Sequence, residues 1–157
     1  MNENSLISYE EALEREGKLV AINSGTSMMP LLRQKRDLMV IEKKGESRCK
    51  KYDAVLYRRG GRYILHRVIK VRENDYVIVG DNCRRLEYGI TDGDILGVLT
   101  AVVRGGKREV KMDSFGARLY AHIWCDFFPV RAVLIRVREL LGAVKRRIFK
   151  GGRKNEE

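Results

Sequence analysis

Three short stretches of this 157-residue chain carry side chains that could do chemistry together. The first is the loop Ser24-Gly25-Thr26-Ser27-Met28-Met29-Pro30. Gly25 permits a sharp turn or a close backbone approach and Pro30 fixes the exit direction, so Ser27 can project from the turn between them. A plain polar loop, with Met28 and Met29 as core filler, fits the same residues. The second is Ile64-Leu65-His66-Arg67-Val68 inside the longest apolar run. Strand alternation puts Ile64, His66 and Val68 on one face and Leu65, Arg67 and Ile69 on the other. His66 is either a hydrogen-bonded structural residue or a partly desolvated base. An ordinary imidazole, with a pKa of about 6.5, is mostly neutral at pH 7 and able to take a serine proton. The third is Gly80-Asp81-Asn82, which alone reads as a turn whose Asp and Asn bond to nearby backbone.

In this order the three stretches resemble the peptidase superfamily that joins type I signal peptidases to the self-cleaving LexA-type repressors. Gly25, Ser27, Met28 and Pro30 match its nucleophile box, His66-Arg67-Val68 its base box, and Gly80-Asp81-Asn82 its third box. Arg36-Asp37-Leu38 and Tyr52-Asp53-Ala54-Val55 resemble its turn-then-strand punctuation, and the likeness covers about residues 18–103. Histidine at the base position sides with the endoplasmic-reticulum and sporulation-type branch rather than with the lysine-base members.

The resemblance implies a compact, mainly β, antiparallel, barrel-like peptidase fold and a serine endopeptidase without a cofactor. Ser27 would be the nucleophile and His66 the general base. Asp81 would be the acid that orients the imidazole, with Glu87 as the alternative and Asp92 or Asp94 as more distant ones. The backbone N–H groups of Ser27 and Thr26 would form the oxyanion hole. Met28 and Pro30 would contact a peptide bound as an extended strand. The chain also departs from the pattern. No apolar run reaches spanning length, no Ala-Gly site lies ahead of Ser27, and the acidic-leaning Met1–Glu16 is too short for a DNA-binding domain, so membrane-anchored processing and self-cleaving repression are not expected.

Elements to position these residues are legible in the apolar patterning. Ser8 followed by Glu11 marks a capping box that opens a helix ending at Gly17. Short β-branched and apolar runs follow at Lys18–Asn23, Leu38–Glu42, Ala54–Arg58, Tyr63–Val71, Tyr76–Val79, Ile95–Arg104 and Glu109–Met112. Turn signals between them, such as Arg59-Gly60-Gly61 and Gly105-Gly106, predict antiparallel hairpins. Residues 1–114 therefore read as one β domain with an N-terminal helix.

Residues 115–157 read as a basic helical tail. Val130, Val133, Leu134, Val137, Leu140, Leu141, Val144 and Ile148 recur at helical spacing opposite a basic face, behind an aromatic cluster of Tyr120, Trp124, Phe127 and Phe128. Such a helix either packs on the β body or lies on an anionic membrane surface. The formal charge of +11 favours an anionic partner, and nucleic acid is disfavoured because no base-reading motif accompanies the charge.

Five acidic residues in Met1–Glu16 against one basic residue make an N-terminal secretory signal unexpected. Three widely spaced cysteines fit a reducing compartment and no metal cluster, so a cytoplasmic location is expected, with peripheral membrane attachment if the tail lies on a lipid surface. The rival to a peptidase is a non-catalytic peptide-binding or membrane-surface protein on the same fold.

Overall fold

The computed structural model describes residues 8–127 together with residues 133, 136, 137 and 141. Helix α1 (Tyr9–Glu16) opens on Ser8, whose Oγ accepts the Glu11 N–H at 3.1 Å, and closes at Gly17. The strands are β1 (Lys18–Ile22), β2 (Leu38–Lys43), β3 (Ala54–Arg59), β4 (Arg62–Val71), β5 (Tyr76–Val79), β6 (Glu87–Ile90), β7 (Ile95–Arg104) and β8 (Arg108–Lys111). A turn of 3-10 helix at Asp92–Asp94 leads into β7, and α2 (Phe115–Asp126) follows β8. All pairings are antiparallel. Seven strands agree with the apolar runs to within a residue or two; β6 falls outside those runs.

The sheet runs β1-β2-β7-β3-β4-β5-β6, with β8 also on β7. It is an open sheet, which corrects the expected barrel-like closure. β7 pairs β2 along one edge, while its other edge is divided: Ile95–Val98 lies against β3 and Ala101–Arg104 against β8. The β7–β8 hairpin thus turns away from β3, and β1 and β6 end the sheet without meeting. The β3–β4 hairpin turns on Gly60 and Gly61 at φ 54 and 76, a two-residue connection whose twist matches its strands.

Both faces of β3 are buried. Ala54 and Leu56 join Leu13, Leu19, Met28, Leu31, Leu32, Met39, Ile41, Leu65, Leu99 and Val102 in one core, and α1 packs on this side. Val55 and Tyr57 join Cys49, Val68, Tyr76, Ile78, Ile90 and Ile95 in the other. Each fully buried aliphatic side chain contributes roughly 1.5–3 kcal/mol, so the central strands are held from both sides.

The β1–β2 connection, which contains Ser27, is closed by polar contacts. The Asn23 amide accepts the Gly25 N–H and donates to the Gly25 carbonyl, and Gln34 donates to Ser24 O. At its far end Asp37, fully buried, accepts the N–H groups of Arg33 and Gly105 and the Arg104 guanidinium. Burial pushes the Asp37 carboxyl up, but these donors outweigh it and hold it below the usual carboxylate range.

The predicted amphipathic helix Val130–Ile148, and Phe128 and Pro129 before it, lie outside the described residues except at Val133, Arg136, Val137 and Leu141. Those four are helical and exposed. Among the described residues no helix is long and apolar enough to cross a membrane.

Candidate functional site

Ser27 sits in a tight turn in which the Met29 N–H donates to Thr26 O and the Leu32 N–H to Met28 O. Met28, only 1% exposed, is a member of the first core and anchors the turn from beneath. The expectation set Met28 against a bound peptide; the structure places its side chain in this core. Thr26 and Pro30 are exposed and Ser27 is half-buried.

The third stretch of the sequence reaches this turn directly. The Asn82 N–H donates to the Ser27 carbonyl at 2.6 Å. A Cβ placed on Gly80 would lie 2.8 Å from the Ser27 carbonyl oxygen, 2.8 Å from His66 Nε2 and 2.8 Å from Cys83 Sγ. Any side chain at residue 80 would force apart the strand carrying the histidine and the loop carrying the serine. The glycine is therefore a packing requirement of the site.

His66 is buried on β4, opposite Val55 of β3 and so on the side of the second core. Its Nδ1 lies 2.9 Å from Glu87 Oε1 and 3.3 Å from the Tyr57 hydroxyl. The other carboxylate oxygen, Oε2, accepts the Tyr57 hydroxyl at 2.9 Å and the Arg59 guanidinium at 2.5 Å. Burial pushes the Glu87 carboxyl up, but Tyr57, Arg59 and His66 together hold it below its ordinary value. The Tyr57 hydroxyl is raised, first by burial and then by the neighbouring carboxylate. With a proton on Nδ1 aimed at Glu87, Nε2 is left as an acceptor facing the Ser27 turn.

Arg67, one residue along β4, points to the opposite side, beside Ala54, as alternation predicts. It is 3% exposed and makes a two-pronged pair with Asp81, 1% exposed: Nε to Oδ1 and Nη2 to Oδ2, both at 2.8 Å. Its Nη1 donates to Tyr52 O. Tyr120 of α2 donates to Asp81 Oδ2 at 3.0 Å, and the Trp124 indole donates to Asp81 O at 2.7 Å. Burial works against the Arg67 cation, but the Asp81 charge more than compensates and its pKa is raised.

The two acids left open by the sequence are thus divided between the faces of β4. Glu87 goes to His66, and Asp81, expected as the acid of the site, goes to Arg67. The more distant candidates are engaged elsewhere. Asp92 binds Arg48, Lys44 and the Tyr76 hydroxyl, and Asp94 caps the backbone at Thr91.

Residues that sequence reasoning passed over are Tyr57 and Arg59 on the acid, Asn23 and Asp37 in the loop, and Tyr120 and Trp124 on Asp81. The period-2 rule applied to β3 would have put Val55, Tyr57 and Arg59 on the face of His66. A cleft of about 880 Å³ opens where the β7–β8 hairpin turns away from β3, beside α2, and Arg67, Tyr52, Lys111 and His122 help to line it. Ser27, His66 and Glu87 are not among its walls. Comparison with family models, with curated proteins and with solved structures finds no match.

Removing either partner of the Arg67–Asp81 pair strands a buried charge, so Arg67→Ala and Asp81→Ala should each cost about 3–5 kcal/mol in urea unfolding. Tyr120→Phe, which removes one hydrogen bond, should cost about 1 kcal/mol. Fluorescence of the single tryptophan, Trp124, should shift to the red in the Asp81→Ala variant as the turn carrying its main-chain carbonyl partner loses the ion pair that pins it.

Proposed function

We propose that this chain is a serine endopeptidase related to the signal-peptidase and LexA-type superfamily, with Ser27 as nucleophile, His66 as general base and Glu87 as the orienting acid. The observation that carries this reading is the two-sided placement of His66. Nδ1 is gripped by a carboxylate, while Nε2 and the Ser27 carbonyl oxygen each lie 2.8 Å from where a Cβ on Gly80 would stand.

In the acylation step Ser27 Oγ attacks the scissile carbonyl carbon and its proton passes to His66 Nε2. The oxygen of the tetrahedral intermediate is stabilised by the backbone N–H groups of Ser27 and Thr26. Collapse expels the amine, which takes the proton back from Nε2 and leaves an acyl ester on Ser27. A water, deprotonated by the same nitrogen, then releases the acid and regenerates the serine. Glu87 stays ionised throughout, holding the Nδ1 proton and stabilising the transient imidazolium.

The substrate is a peptide or leader segment, bound in extended form. β1 is an edge strand that runs straight into the Ser24–Pro30 loop, with Val20 and Ile22 about half exposed (54% and 52%). A strand laid on such an edge gains main-chain hydrogen bonds along its length.

A second reading, of where the enzyme works, is favoured by the outer face of α2. Phe115, Leu119, Ile123 and Phe127 form a four-residue-spaced stripe, exposed at 82%, 47%, 46% and 58%, while Ala121 on the inner face is buried. Val133, Val137 and Leu141, spaced alike, are exposed as well. Residues 115–157 hold ten Lys and Arg against four Asp and Glu, which opposes pairing with a second copy and suits an anionic lipid surface. A peripheral membrane-bound peptidase on the cytoplasmic side is the corresponding proposal.

Incubation of wild type, Ser27→Ala and His66→Ala with a pool of leader-like peptides, read by mass spectrometry, tests the activity. Both variants should lose more than about a thousandfold in turnover while keeping the wild-type fold. Activity should rise with pH through roughly the imidazole range, because the base works only after losing its proton. Cutting by Ser27→Ala at the wild-type rate would overturn the assignment. Binding without cutting by all three would favour the peptide-binding alternative. In sedimentation, the full chain should pellet with phosphatidylglycerol vesicles and not with phosphatidylcholine vesicles, and Leu119→Gln with Ile123→Gln should release it.

A further inference from the structure

Glu87 stands on the least secure element of the site. β6 is a four-residue edge strand paired only with β5, across an irregular register, with Gly89 at φ 75. Nothing in such a strand fixes a carboxylate to the precision a proton-transfer pair requires. The fixing comes from β3, a central strand buried on both faces, whose Tyr57 and Arg59 both hold Oε2 while Oε1 is left to His66.

Among the described residues, the charged and titratable groups that meet the pair include Tyr57 and Arg59 from β3, His66 from β4, Cys83 from the turn after β5, and Glu87 from β6. Arg59 is a permanent cation bound directly to the Glu87 carboxylate. A half-buried carboxylate beside an imidazole, with no cation of its own, pulls the imidazole toward its protonated form. A protonated His66 cannot accept the serine proton. Arg59 opposes that pull from the far oxygen.

Resting on the peptidase reading above, we propose that Arg59 is a positioning residue that clamps Glu87 from β3 and offsets its charge, so that His66 remains a free base at neutral pH. It acts through Glu87 and has no contact with the substrate in this role. Tyr57 shares the clamp as a neutral donor. Arg59 is 59% exposed at the end of its strand, so replacing it leaves the core untouched.

The test is an NMR titration of the imidazole signals in the full-length protein, with wild type, Arg59→Ala and Arg59→Lys compared. The chain has only two histidines, so His122, held by Asp126 and Tyr52, serves as the internal control. In Arg59→Ala the His66 midpoint should rise by roughly half a pH unit, the scale of one partly exposed charge pair, and Arg59→Lys should restore it. Where peptide cleavage is measured, the rising limb of the pH profile should move with the midpoint. That amounts to about a threefold loss well below the midpoint. A His66 midpoint that stays put in Arg59→Ala, or moves equally in Arg59→Lys, overturns the proposal. The titration is independent of turnover: an upward shift in a protein that cuts no peptide keeps the clamp and removes the peptidase reading.

Discussion

The site depends on one peptide unit of β4. His66 and Arg67 are adjacent, so the pleat sends an imidazole to one side of the sheet and a permanent cation to the other. Arg67 is almost wholly enclosed, and an enclosed guanidinium must have a carboxylate. Asp81 supplies it with both oxygens. That pairing pins the turn after β5, and the next residue of the turn donates its N–H to the carbonyl of Ser27. The loop bearing the serine is therefore held in place by a charge pair on the face of the sheet away from the histidine. Gly80, between the two, has no side chain to keep them apart.

The same pairing ties the C-terminal helix to the site. Tyr120 and Trp124 both bond to Asp81, one to its carboxylate and one to its carbonyl. Farther along, Asp126 is held by Lys51 and the Tyr52 hydroxyl, whose residue gives its own carbonyl to Arg67. Lys51 and Tyr52 together hold the Asp126 carboxyl down at about 2, so this outer tether persists at any mild pH. A helix whose outer stripe is apolar is thereby fastened, through its inner polar side chains, to the residue that positions the Ser27 turn.

Much of this organisation was legible in the amino-acid sequence, and the misses have physical causes. Runs such as Ala54–Arg58 and Ile95–Arg104 announce strands because β-branched residues crowd them. Glu87–Ile90 does not, because Gly89 and two polar-tipped side chains hide a strand that is held mainly by its neighbour β5. Barrel closure was a poor expectation because it depends on how the edge of β7 is divided between β3 and β8, which no local pattern records. The choice between Asp81 and Glu87 was left open, although alternation had already placed Arg67 opposite His66. A buried arginine needs an acid, and that requirement would have assigned Asp81. The clamp by Tyr57 and Arg59 follows from strand register, which appears only once β3 and β4 are paired.

The division of labour between the two acids is most directly tested at Ser27 itself, by the rate at which a fluorophosphonate labels it in wild type and in Glu87→Gln, followed by mass spectrometry. Labelling needs only an activated serine and no knowledge of the natural substrate. A rate lower by about a hundredfold in Glu87→Gln, with unchanged thermal unfolding, is the expected result. Equal rates in the two proteins would contradict the assignment of Glu87 as the acid that activates His66.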